Sequence, residues 1–192
     1  MATRSALPFP SRGGAASERG LTLVDALVAT AILATVAAGA GSLLTWSARA
    51  IWTSSTQSTA MWLAEQKLEQ LCALEWSVDA EGVDLSDQTT NAGTDPMRDD
   101  GPGLSPSPAS AIDENTGGYV DFVGHDGVWR GDAAPQNGAA FVRRWSIVPL
   151  PSDPRNTLVV TVSVRPLSEA ARDASPVSSG ATLQTVRTRL LR

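Results

Sequence analysis

The sequence predicts an α+β protein: one long N-terminal helix whose upper half packs on a small antiparallel β-sheet. Three observations predict it. Residues 21–44 form a run that is apolar on every side and carries one charge, Asp25. A helical period continues past that run with no proline until Pro96. The later part of the chain holds short runs rich in β-branched and aromatic residues, separated by turn clusters.

Composition narrows the possibilities. At 192 residues the chain is one domain of ordinary size, or a small domain with an appendage. Lys+Arg 15 against Asp+Glu 20 leaves a net charge of −5, which argues against a nucleic-acid partner that would need a basic stripe. The single cysteine, Cys72, excludes an intrachain disulfide framework and a multi-cysteine zinc or iron–sulfur site. The single histidine, His125, excludes a His-rich metal centre, and no cofactor is expected. A mean hydropathy of −0.06 averages over segments with different jobs.

The first segment, residues 1–20, is small-residue rich and carries Arg4, Arg12 and Arg19 against Glu18. It has neither a 3.6 nor a 2.0 apolar period, and reads as a leader or a tail. Residues 21–45 form the span. Its 24-residue apolar run is roughly 36 Å long as a helix, enough to cross a bilayer core. Trp46, Arg49 and Trp52 follow it as aromatic and basic anchors for a membrane–water boundary. The positive excess before the span places the N-terminus in the cytoplasm and the rest outside.

Residues 46–78 continue the helix amphipathically. Ala60, Ala64, Leu68, Leu71 and Leu74 form one stripe, Glu65, Gln66, Glu69 and Gln70 lie off it, and Lys67 stands four before Leu71. Gly39 and Gly41 are weak points, each costing up to about 1 kcal/mol relative to alanine. Residues 79–118 hold nine acidic side chains, one basic one (Arg98), four prolines and six glycines. They read as a long surface loop with too little apolar surface to offset its ordering entropy. It is either a solubilising insertion or a partner-binding surface. Residues 119–192 read as the sheet. Strands are expected at 119–123, 140–148 and 157–164, with a hairpin turn at 149–154. A last strand, 182–190, has Thr182, Gln184, Val186 and Thr188 on one face.

The junction between leader and span is the informative motif: Glu18-Arg19-Gly20-Leu21-Thr22-Leu23-Val24-Asp25. A carboxylate inside an apolar span is expensive and so marks function. This junction resembles the class III signal of the type IV pilin and pseudopilin family: a glycine, a hydrophobic residue, Ser/Thr, two aliphatics, then an acidic residue at the fifth mature position. Residues 58–74 resemble the second half of the first helix in PilV-type minor pilins and in minor pseudopilin I of type II secretion.

The resemblance implies a pilin-like fold and a structural subunit rather than an enzyme. It implies cleavage after Gly20 by prepilin peptidase and N-methylation at Leu21. Asp25 would pair with the N-terminal ammonium of a neighbouring subunit and set axial register. The implied partners are that peptidase, other pilins or pseudopilins in a filament or tip complex, an inner-membrane assembly platform and the inner membrane itself. The implied location is a single pass of the inner membrane with a periplasmic head, and then a type IV pilus or type II secretion pseudopilus. The family usually has Phe first and Glu fifth where this chain has Leu21 and Asp25. The alternative is a secreted or signal-anchored periplasmic binding module, for which Ala38-Gly39-Ala40 has the small-x-small form of a signal peptidase site.

Three further groups carry polar chemistry. His125-Asp126 could suggest catalysis, but no nucleophile-elbow pattern surrounds any serine, and Gly-His-Asp-Gly reads as a surface turn. Asp121, Asp126 and Asp132 are weak calcium candidates whose spacing fits no EF-hand loop. Arg143 and Arg144, adjacent in a strand, are expected to point to opposite faces.

Overall fold

A computed structural model describes residues 23–170 and 179–191. The protein is α+β, with one long apolar N-terminal helix and mostly antiparallel sheets. It divides into two compact units, residues 1–47 and 48–192. One helix, α1 (Leu23–Cys72), belongs to both.

In the first unit every described residue is exposed, including Leu23, Leu27, Ile32, Leu33, Leu43 and Leu44. The hydroxyl side chains there turn back on the helix. Thr30 donates to Ala26 and Leu27 carbonyls, Thr35 to Ala31, Ser42 to Gly39 and Thr45 to Ser42. These four hydroxyls are thus satisfied within the helix, as an apolar surrounding would require. This helix is long and apolar enough to cross a membrane.

In the second unit the rest of α1 packs by one face. Ala60, Leu63, Ala64, Lys67 and Leu71 are its buried residues, spaced by threes and fours. They meet a four-stranded antiparallel sheet ordered β3-β4-β5-β6, formed by Val120–Val123, Phe141–Pro149, Thr157–Pro166 and Ala181–Thr188. Period-2 alternation sends Phe141, Trp145, Ile147, Leu158, Val160, Val162 and Val164 into the same core as the helix stripe. Thr182, Gln184, Val186 and Thr188 all lie on the exposed face of β6, as the sequence pattern requires. The turn between β4 and β5 closes with Leu150 N–H donating to the Thr157 carbonyl at 2.9 Å. A short helix, α2 (Leu167–Ala170), follows β5.

Two expectations need correction. The helix does not run to residue 78; it stops at Cys72, and Trp76–Val78 is a strand, β1. The partner of this helix end is distant in sequence. The Arg187 guanidinium on β6 donates to the Leu71 carbonyl, an acceptor that the helix end leaves open, and to the Leu74 carbonyl just beyond it. Strand β1 then pairs antiparallel with β2 (Asp84–Ser86) and parallel with β7 (Leu190–Leu191). The Arg189 guanidinium lies 3.6 Å from the Trp76 ring centre and donates to the Ser77 and Leu85 carbonyls. The C-terminal part of the chain is therefore not one antiparallel sheet.

The second correction concerns residues 79–118, a surface segment that is anchored to the core at several points rather than solvated throughout. Ala92, Leu104 and Ala111 are buried in the main core. Asp87 organises one bend by accepting from the Thr89 and Thr90 backbone and the Thr90 hydroxyl. Burial pushes its carboxyl up, but those bonds outweigh burial and hold it below the ordinary value. Ser107 joins the segment to β4: its N–H donates to the Ile147 carbonyl, and its Oγ accepts from the Ile147 N–H. The Tyr119 hydroxyl donates to the Ser105 carbonyl. Backbone hydrogen bonds and three small or medium apolar anchors do what bulk hydrophobicity would do elsewhere.

Gly101 tests that packing. A Cβ there would sit 2.2 Å from the Asn91 Cα, whereas one at Gly117 would meet open space. Gly101→Ala is expected to lower unfolding free energy by about 2 kcal/mol or more, and Gly117→Ala to change it by less than about 0.5 kcal/mol. Chemical denaturation of the full chain in detergent reads both. Equal, small effects would mean the segment is not part of the cooperative core.

Candidate functional site

Two regions carry the polar chemistry. At the N-terminal end, Gly20 and Leu21, where the sequence motif leads one to expect processing, lie outside the described residues. Asp25 stands in the first turn of α1, the one acidic residue there, flanked by exposed Val24, Leu27 and Val28. A carboxylate at a helix N-terminus is favoured by the helix dipole. Trp46, Arg49 and Trp52 are all exposed, the two indoles by 73% and 75%.

The second region is a buried ion cluster joining α1 to the sheet. Lys67 lies four residues after Leu63 and four before Leu71, squarely on the packing face. Its ammonium lies 2.7 Å from Asp121 Oδ2 on β3, and both side chains are 1% exposed. Asp121 stands directly across from Arg143 on β4. Arg143 donates from Nε to Oδ1 at 2.7 Å and from Nη2 to Oδ2 at 2.8 Å, a bidentate pair. Its Nη1 reaches back to Gln66 Oε1 on the helix at 3.1 Å. Lys67 also donates to the Ala92 carbonyl, and its Nζ lies 4.5 Å from the Trp145 ring centre.

Two cations and one carboxylate leave this cluster with one uncompensated positive charge. Burial accordingly lowers Lys67 from 10.5 to about 8; the Asp121 charge opposes that fall, Arg143 adds to it, and Asp95 opposes it from a distance. Losing that proton would leave a neutral Asp121–Arg143 pair. The arrangement is suited to fastening: the helix and two strands converge on one carboxylate, and Lys67 also holds the Ala92 bend.

The structure does not gather the calcium candidates. Asp121 is enclosed by Lys67 and Arg143, while Asp126 is exposed and pairs with Arg130 at 3.0 Å. Asp132 uses a carboxylate oxygen on the Ala133 N–H. Among the described residues no three His, Cys, Asp or Glu side chains come together where a metal ion could be held. His125 packs its ring edge against Phe141, with centres 5.2 Å apart, and Asp126 accepts from the Val128 N–H in the adjoining turn. Arg143 and Arg144 do point to opposite faces: Arg143 is buried, and Arg144 donates to Asn115 Oδ1 on the other side.

Sequence reasoning missed the ion cluster, though signals were present. Lys67 stands at stripe spacing among apolar residues, Asp121 interrupts a four-residue strand, and Arg143 shares the parity of Phe141 and Trp145. What no pattern supplied was the cross-strand register that sets Asp121 opposite Arg143. Comparison with protein-family models, curated proteins and solved structures finds no match to this chain.

Removing only the carboxylate's charge tests the cluster. Asp121→Asn leaves Lys67 and Arg143 facing each other in the core and is expected to cost about 3–5 kcal/mol. Lys67→Met leaves the neutral pair and is expected to be close to neutral. The pH dependence follows from Lys67. Between about pH 8 and 10.5 the unfolded chain holds the lysine proton and the folded chain has released it. The unfolded state binds more protons there, so stability due to Lys67 rises with pH. Unfolding free energy of the wild type relative to Lys67→Met, followed from pH 7 to 10, should increase; a flat or falling difference would contradict the assignment.

Proposed function

We propose that this chain is a minor pilin or pseudopilin with a pilin-like fold, a structural subunit processed by prepilin peptidase and assembled into a type IV pilus or type II secretion pseudopilus. The observation that carries the reading is the junction Gly20-Leu21-Thr22-Leu23-Val24-Asp25 at the start of one long apolar helix. The exposed run of α1 supports it, because apolar surface of this extent needs lipid or other helices around it. The packed sheet and helix of the second unit support a folded head.

In this reading the leader of residues 1–20 stays cytoplasmic until cleavage, α1 crosses the inner membrane once, and the head lies in the periplasm. Leu21 becomes the methylated N-terminus. Asp25, one turn into the helix, pairs with the ammonium of a neighbouring subunit, since two opposite charges together are tolerable in a low dielectric where each alone is costly. Trp46, Arg49 and Trp52 hold the boundary between lipid and water. The work is mechanical: other pilins and the inner-membrane assembly platform lift the processed subunit into a filament or its tip.

The mature N-terminus decides the matter. Edman or mass-spectrometric sequencing of the chain recovered from membranes of cells that contain the peptidase is expected to give N-methyl-Leu21. A terminus at Gly41 would instead indicate a secreted binding module, and an uncut Met1 a signal anchor. Either result would overturn the proposal.

A further inference from the structure

The face of the sheet turned away from α1 carries a second, smaller apolar cluster of Val120, Phe122 and Val142. Beside it is a recess of about 210 Å³ walled by Phe122, Pro135, Val142, Leu167 and Ala170, with Asn115 and Arg144 completing the lining. Arg165 lies on the same face: it stands opposite Val142 in the register, as Arg144 stands opposite Ser163. Arg144 donates to the neutral Asn115, and no ion pair engages Arg144 or Arg165 among the described residues. Burial, then the Arg165 charge, pulls Arg144 below its ordinary value, against a weaker opposing effect of Asp113. An anion received here would relieve that repulsion.

Elsewhere in the second unit, residues 95–100 form an exposed segment of complementary character. Asp95, Asp99 and Asp100 outnumber Arg98, and Met97 stands among them 42% exposed. An unbranched thioether flanked by carboxylates suits an apolar recess flanked by guanidiniums.

We propose that the recess beside Arg144 and Arg165 receives residues 95–100 of a second copy of this chain, with Met97 entering the apolar part and Asp99 and Asp100 facing the two guanidiniums. Charge complementarity selects this occupant: the same chain displays both the anionic, Met-bearing segment and the cationic, apolar recess. The two patches are different surfaces, so the contact is heterologous, and every copy can both give and receive it. The inference goes beyond the processing proposed above and does not depend on it.

The test uses the full chain in membranes, with a photo-reactive p-benzoylphenylalanine at position 97. Irradiation is expected to give intermolecular cross-links that mass spectrometry maps to Phe122, Val142 or Leu167 of another copy. Arg144→Glu with Arg165→Glu should lower the yield about tenfold or more, since like charges then face each other. The yield should return when those receiving copies meet probe-bearing copies that also carry Asp99→Arg and Asp100→Arg, which also shows that the charge-reversed chain is folded. Cross-links only to a different protein, no intermolecular cross-link, or a yield that charge reversal does not lower or the swap does not restore would each overturn the proposal. The cross-link is read whatever the state of the N-terminus, so its failure is distinct from a failure of cleavage at Gly20.

Discussion

One carboxylate organises the folded unit. Asp121 lies at the meeting point of α1, β3 and β4, and the contacts gathered there come from residues far apart in sequence. A buried ion cluster of this kind is weak evidence for net stability, because desolvation offsets much of the attraction. Its physical effect is directional. Apolar side chains would let α1 slide or rotate on the sheet at small cost, whereas a bidentate guanidinium and a lysine on one carboxylate admit a single register. The rest of the core, from Ala60 on the helix to Val164 on β5, packs around that fixed point.

The same helix therefore has two kinds of surface. Its first described stretch is apolar on all sides and returns its hydroxyls to its own carbonyls, while its last three turns bury one face against β-strands. That division explains why Lys67 is tolerated where Asp25 is informative. Lys67 has three partners supplied by its own fold. Asp25 lies in a stretch whose surroundings in the first unit are apolar side chains exposed to whatever surrounds the helix.

Much of this architecture is legible in the sequence, and the failures have a common cause. The span, the helix stripe, the β4–β5 hairpin and the outward face of β6 follow from local period and turn chemistry, which a single chain displays. The end of α1 does not, because the guanidinium that donates to its Leu71 carbonyl, Arg187, stands more than a hundred residues away. Residues 79–118 mislead for the same reason: their composition is that of a solvated loop, and their order comes from backbone bonds to Ile147 and from Leu104 seated in the core. Asp121 and Arg143 are each visible as charges inside strands, yet only their register makes them a pair. The processing proposed at Gly20 and Leu21 rests on the motif alone, and those residues lie outside the described ones.

Fastened at Asp121, the upper part of α1 and the sheet should behave as one mechanical body. Native-state hydrogen exchange on the full chain in detergent measures this most directly. The account predicts that amides of residues 63–71, of β3 and of the inner half of β4 open with one shared, highest free energy, and that Asp121→Asn lowers all three together. If the helix amides exchange far faster than those of the strands, or the substitution affects the strands alone, α1 is merely resting on the sheet and the claim fails.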